Sequence, residues 1–376
     1  MRKILFISMS LGKNDYGGAV VSNTNFLALK SLGSHEIYSI TILKDIADAP
    51  DNVDFLLTGS SSRLSTAFSN LLGFSGRLNF SVMRKIKKII KDVRPDIIYL
   101  DSSLLGGIAK YCREKFNDIL IVTFFHNVEV DFEISRILSG RIYFLPSLLA
   151  TLFAEKFAVR HSDVIITLHN NDSVRLKNKY GREADYIVPV CIKEKEARVD
   201  TFKLNESPGS KLKLGFIGSA FFANIEAAKF ISEKLAPNLV DVAHFYICGN
   251  GFERYESLCS DNVTVSGYID SLSDFYSSID VMVFPIFTGA GMKVKIAESL
   301  MYNKIIIASP FALIGYEKII DGVNVISCDT NESFCTMINK VSHHEYTDYN
   351  RRAYLTYFSE QSCKNHFKNI FNSIEK

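Results

Sequence analysis

Predominantly apolar runs alternate with helical patterns in two successive series along this chain, and that double alternation limits its architecture more than any other feature. The first series is KILFIS, IYSITIL, DIIYL, ILIVTFF and DVIITL. The second is KLGFIGS, HFYICG, VTVSGYI, DVMVFPIF, KIIIAS and NVISC. Short runs this apolar read as strands buried on both faces, as in a parallel sheet covered by helices. Between the series, residues 194–213 are charged, hold a Pro-Gly pair and show no period, so they read as a linker. The expectation is an α/β chain of two facing doubly wound domains, 1–193 and 214–347. The segment 348–376 reads as helical and is expected to pack back on the first domain. Ligands of such sheets bind beyond the carboxyl ends of the strands, so two facing domains would define a cleft.

Composition narrows the classes. The 376 residues suit two domains, and a hydrophobic content of 47% gives each a core. A net charge of +2 excludes the strong basic excess of a nucleic-acid binder. The seven cysteines are scattered without a C-x-x-C pair, which reads as reduced, buried thiols in a cytoplasmic protein. The start, MRKILFISMS, turns polar too soon for a signal peptide and reads as a first strand. No unbroken apolar run reaches the ~18 residues of a membrane span.

The stretch FTGAGMKVKIAESL, residues 287–300, carries the chemistry. A turn with Gly289 and Gly291 follows a strand, and a helix is expected to begin near Met292. A helix N-terminus presents unpaired N–H groups and the positive end of the dipole, so Lys293 and Lys295 there are unfavourable for the helix alone. A phosphate or diphosphate in front of them would resolve the conflict. Lys295 and Glu298 lie three apart on one helical face, placing an anion-binding group beside a carboxylate that can accept two hydrogen bonds. A sugar nucleotide offers both partners, a diphosphate and the vicinal ribose hydroxyls.

The segment GAGMKVKIAESLMYNKIIIAS resembles the donor-site signature of glycosyltransferase family 4, retaining enzymes of GT-B fold, in the branch reading Gly-x-Gly-x-Lys-x-Lys-x-x-Glu. LGFIGSAFFANIEAAKFISEKLAP, with Asn224 opening its helix, and VTVSGYIDSLSDFYSSIDVMVFP resemble the flanking parts of that branch's second domain. YGGAVVSNTNFLALKSLG, TFFHNVEVDFE and HSDVIITLHNNDSVRLKNKYG resemble parts of its first domain. The resemblance implies a retaining transfer from a nucleotide-diphosphate sugar (UDP or GDP) to a glycan or lipid-linked acceptor, in bacterial surface polysaccharide synthesis. Glu298 would bind ribose, and Lys295 with Lys293 would balance the diphosphate. Backbone N–H groups of Gly218, Ser219, Ala290, Gly291 and Met292 would assist, with Gly289 in the same turn. Tyr268 and Ile269 would flank the base. Gly17 and Gly18 would form a loop close to phosphate or acceptor, and His126 would touch the donor sugar or acceptor, with Asn127 and Glu129 beside it. The leaving diphosphate itself would take the acceptor proton. No cofactor or metal is implied, and no Asp-x-Asp motif is present. The chain departs from the family at Ala290, where many members carry a sugar-binding glutamate, and at SAFFAN, which lacks their Arg and Lys. Two alternatives therefore stand: a non-catalytic scaffold subunit of GT-B form, and a sugar-nucleotide epimerase of that fold.

Two segments bear on partners. Residues 82–94 put Ile86, Ile89, Ile90 and Val93 on one face and six basic residues elsewhere. This fits a surface helix packed on the sheet and also suits an anionic membrane. Residues 141–153 are apolar and interrupted by Pro146, too short to span but able to rest on the inner face of the cell membrane.

Overall fold

The computed structural model describes residues 1–12, 16–45, 50, 53–138, 140–194, 210–341 and 347–375. Of the expected linker, residues 195–209 lie outside the described part. Contacts divide the chain into two compact units, Met1–Pro189 with Cys363–Lys376, and Val190–Ser362.

The first unit holds β1 (Arg2–Ser8), β2 (His35–Leu43), β3 (Phe55–Thr58), β4 (Ile97–Leu100), β5 (Leu120–Phe125), β6 (Val164–Thr167) and β7 (Tyr186–Ile187). They pair in the order β3-β2-β1-β4-β5-β6-β7, and every pair is parallel. Its helices are α1 (Gly17–Lys30), α2 (Arg63–Leu71), α3 (Phe80–Val93), α4 (Gly106–Lys115), α5 (Glu129–Leu138), α6 (Leu145–His161) and α7 (Asn170–Tyr180). The second unit holds β8 (Leu212–Ile217), β9 (Ala243–Cys248), β10 (Val263–Ser266), β11 (Val281–Phe284), β12 (Ile305–Ala308) and β13 (Val325–Ser327). Their order is β10-β9-β8-β11-β12-β13, again all parallel. Its helices are α8 (Phe222–Phe230), α9 (Leu272–Ser278), α10 (Val294–Met301), α11 (Asn331–Val341) and α12 (Tyr349–Ala353); α13 (Glu360–Ile374) leads back to the first unit. Strand order reverses between β1 and β4 in one sheet and between β8 and β11 in the other. These are the switch points where adjacent connections leave to opposite faces and a crevice opens at the carboxyl ends.

Several local expectations change. The YGG stretch is not a loop: Gly17 and Gly18 form the first turn of α1, after Tyr16 in extended conformation. For α3, by contrast, the expected packing on the sheet holds: Ile86, Ile90 and Val93 are buried, and Ile89 is partly buried against the same cluster. Pro146 does not interrupt a helix; it lies in the first turn of α6, where its missing N–H is no loss. Together with the 3-10 turn Ile142–Phe144 before it, α6 makes a twenty-residue helical segment, 142–161, in which an 18-residue stretch has mean hydropathy 1.4, long and apolar enough by those two measures to cross a membrane. Yet α6 packs on α2, α4 and α5 along one side, and only a third of that stretch is buried. The return to the first unit begins at Cys363, since 348–362 group with the second. There the Cys363 thiol reaches Asn25 Oδ1 at 3.4 Å, Phe367 meets Tyr99 edge-on, and His35 bonds Glu375.

The close approach of α4 and α6 depends on one missing side chain. A Cβ at Gly106 would stand 1.9 Å from the Ala154 carbonyl oxygen, whereas one at Gly107 meets nothing within 4 Å. Gly106→Ala should therefore cost about 3 kcal/mol or more in denaturant unfolding, because backbone must move to admit the methyl. Gly107→Ala should stay within about 0.5 kcal/mol of the parent. Equal stability of the two variants would contradict this packing.

Candidate active site

The turn after β11 is built by glycine. Gly289 has φ 114° and Gly291 φ 62°, values that side chains disfavour, and they swing the chain into α10. The helix starts at Val294, later than the sequence suggests, because Lys293 is still extended (φ −91°, ψ 105°). The two lysines then part. Lys293 turns back, donating to the carbonyls of Ala290 at 3.0 Å and Gly291 at 2.6 Å, with its ammonium 4.7 Å from the Phe311 ring centre. It closes the turn on itself. Met292 is buried against Gly315, so its side chain serves the core.

Lys295 reaches the carboxyl end of β8. Its ammonium donates to Asn224 Oδ1 at 2.8 Å and lies 4.8 Å from the Phe216 ring centre. Asn224 is oriented in turn by its amide, which donates to the Ser219 carbonyl at 2.7 Å. Gly218 makes room: a Cβ there would fall 2.5 Å from Lys295 Nζ and 2.6 Å from Asn224 Nδ2. The Gly218 N–H, expected to face phosphate, donates here to the Cys248 carbonyl at 3.0 Å. Gly218 contributes absence of bulk beside Lys295. Gly249 (φ 135°) lets β9 end against it, since a Cβ at Gly249 would lie 2.0 Å from the Gly218 oxygen.

Burial, reinforced by Lys293, lowers the Lys295 pKa to about 7, with Glu298 and Cys248 acting in opposition. Glu298 is half-buried one turn along α10. Burial first and then the charge of Glu298 raise the hydroxyl pKa of Tyr276, and the same pair of causes raises that of Tyr302. These two rings stack at 4.4 Å. Tyr268 is largely exposed just past β10, and Ile269 is half-buried.

In the first unit, His126 directly follows β5 and bonds across to Asp101, the residue after β4. Its Nε2 lies 3.0 Å from the Asp101 carbonyl oxygen and 3.3 Å from Asp101 Oδ1. The other carboxylate oxygen accepts from Ser8 at 2.7 Å, tying the group to the end of β1. Burial lowers the His126 pKa, but the charge and hydrogen bonds of Asp101, with Glu129, outweigh it and leave it raised. Glu129 opens α5, accepts from the Asn127 amide at 3.0 Å and has its N–H bonded to Glu155 at 2.7 Å. Glu155 is fully buried and pushed up to about 7 by that burial, against a hydrogen bond from Tyr180. Gly17 is exposed and Gly18 half-buried at the start of α1; residues 13–15, just before them, lie outside the described part.

Sequence reasoning missed Asp101 and Glu155 and took Asn224 only as a helix start. Asp101 had a visible signal, an acid ending the apolar run DIIYL. Glu155 sits in the apolar helix LFAEKFA and had none. Among the described residues, no three His, Cys, Asp or Glu side chains group to hold a metal ion.

Two parallel sheets of reversing order with helices on their faces make the GT-B architecture. Residues 211–344 match the family model for glycosyl transferases group 1. No curated protein matches the chain in sequence. The lipopolysaccharide outer core galactosyltransferase WaaB matches with TM-score 0.67 at 14% identity, over 99% of each chain. Anabaena Alr3699/HepE in complex with UDP-glucose matches with TM-score 0.68 at 12% identity, over 99% of this chain and 100% of that one. The N-terminal domain of Candida albicans trehalose-6-phosphate phosphatase matches with TM-score 0.66 at 14% identity, over 99% of this chain and 97% of that one. At such identities the likeness is one of fold, and fold alone does not choose among these activities.

The lowered Lys295 pKa has a consequence for stability. In the unfolded chain this lysine stays protonated up to about pH 10.4. The folded protein therefore bears a penalty that is complete below pH 7 and disappears as the pH rises from 7 towards 10. Lys295→Met should raise Tm by about 2 °C or more at pH 6.5, with the gain shrinking by pH 10. A pH-independent difference in Tm would contradict the burial of this ammonium.

Proposed function

We propose that the protein is a retaining glycosyltransferase. It moves a sugar from a nucleotide-diphosphate sugar, UDP or GDP, to a glycan or lipid-linked acceptor in bacterial surface polysaccharide synthesis. One observation carries the reading. Lys295, held by Asn224 over the bare Gly218, stands at the β8/β11 switch point, inside the segment that matches glycosyl transferases group 1. A diphosphate is the ligand that suits this place. It supplies the negative charge that a half-desolvated ammonium lacks, and it meets the start of α10. The UDP-glucose held by HepE supports UDP as the first donor to try.

In the reaction the bond from the sugar anomeric carbon to the diphosphate oxygen breaks, and a bond to the acceptor oxygen forms on the same face. The acceptor proton passes to the leaving phosphate. Lys295 stabilises the charge that grows there, Glu298 accepts hydrogen bonds from the ribose hydroxyls, and Tyr268 and Ile269 bracket the base. His126 is the first unit's group for the sugar or acceptor, oriented through Nε2 by Asp101. Positioning and fixed charge do this work without a metal ion. Ala290 leaves no carboxylate for the transferred sugar, the feature that keeps the scaffold reading in view.

A thermal-shift screen against UDP-, GDP- and CMP-sugars tests the proposal. One diphosphate sugar should stabilise the protein, and stabilisation by none would favour the scaffold. Lys295→Ala and Glu298→Ala should each weaken that binding about tenfold or more without unfolding the chain. Because bound phosphate favours the ammonium, binding should take up a proton above pH 7. Affinity should fall by up to about tenfold per pH unit there in the parent, and far less in Lys295→Ala. Wild-type binding in both variants would remove the assignment.

His126→Ala separates the roles of the two units. Nucleotide affinity should stay within about twofold, while transfer falls by about a hundredfold. Equal loss of both would place His126 in the fold rather than in the reaction.

A further inference from the structure

We propose that the outer face of α2 and α6 in the first unit docks on an anionic lipid bilayer. The inference does not depend on the transferase reading. Helix α2 is stably initiated, with Ser62 and Ser65 forming a capping box. Its apolar residues Leu64, Phe68 and Leu71 fall at i, i+4 and i+7, a single face. In a helix packed on a core that face turns inward. Here it turns outward, with the three residues 84%, 63% and 72% exposed. Helix α2 packs on α6, which repeats the pattern. Leu145, Leu149 and Phe153 are each at least half exposed, and Ile142 just before them is 74% exposed. Two neighbouring helices thus leave apolar stripes uncovered, more than scattered surface residues account for.

Charge identifies the occupant. Residues 55–91 contain no Asp or Glu and seven Lys or Arg, and residues 134–154 contain no acid and two Arg. This is unusual in a chain with 41 acidic and 43 basic residues overall. Arg84, Lys85, Lys88 and Lys91 on α3, and Arg141 before α6, are exposed. A protein-binding surface is depleted in lysine at its core and mixes signs at its rim. An apolar face set in chain segments that carry cations and no acid suits acyl chains beneath anionic headgroups. Because α6 is locked to α4 at Gly106, the geometry is that of a helix lying in the interface rather than one crossing it. Helix α3 contributes charge only, its apolar stripe being committed to the core.

Flotation of the full chain with vesicles, without any sugar nucleotide, tests this. It should float with phosphatidylcholine vesicles containing phosphatidylglycerol, float poorly with phosphatidylcholine alone, and be released by salt. The triple variant Leu64→Ser, Phe68→Ser, Leu71→Ser should lose binding by about tenfold or more while keeping the parent Tm, since these side chains are exposed. Lys85→Glu with Lys88→Glu should weaken binding to anionic vesicles only. No flotation with either vesicle, or equal flotation of the triple variant, would overturn the proposal. So would a dimer in sedimentation velocity that the triple variant abolishes, if vesicles do not bind, since the face would then belong to a second copy.

Discussion

Parallel pairing around β1 and β8 is the constraint from which the rest follows. A strand buried on both faces and hydrogen-bonded to parallel neighbours cannot be joined to them by a tight turn. Each connection must cross a face, most often as a helix. Where the order reverses, between β8 and β11, adjacent connections leave to opposite sides and the carboxyl ends stay open. Gly218 ends β8 there without a side chain, and the turn after β11 delivers Lys295 into the space left vacant. The first unit repeats the arrangement. Ser8, Asp101 and His126 meet by hydrogen bonds at the ends of β1, β4 and β5.

The electrostatics follow from burial rather than from net charge. Lys295 and Glu155 both sit near a pKa of 7, one pushed down and the other up, because each lost water on entering its unit. His126 moves the opposite way to its burial, since Asp101 is close enough to prevail. Lys293, two residues from Lys295, takes another course by bonding its own turn carbonyls. A pair of lysines that reads as one anion site in the sequence is therefore split, Lys293 closing its own turn and Lys295 reaching the end of β8.

The exposed face of α2 and α6 shows the same logic in reverse. Helix α6 supplies its small residues Ala150, Ala154 and Ala158 to the interior and leaves its large ones outside. Close helix contact at Gly106 needs the small residues inward, so Leu149 and Phe153 face outward on the remaining arc. Packing against α4 thus creates the apolar surface on which the proposed lipid docking rests.

The sequence by itself determined the two α/β halves, because fully apolar runs separated by helical periods allow little else, and it placed Lys295 and Glu298 on one helical turn. It misjudged the YGG stretch, since glycines can open a helix as readily as they form a loop, and only the neighbouring backbone distinguishes these. It had no means of finding Glu155, whose burial depends on α6 meeting Tyr180 and the start of α5. Nor could it separate Lys293 from Lys295. Local pattern records which face of a helix a residue occupies. Which partner waits there, the Asn224 amide for one lysine and a carbonyl pair for the other, is decided by a segment distant in the chain for the first and by the backbone dihedrals of the turn for the second. The Lys295–Asn224 contact exists only once β8 and β11 lie side by side.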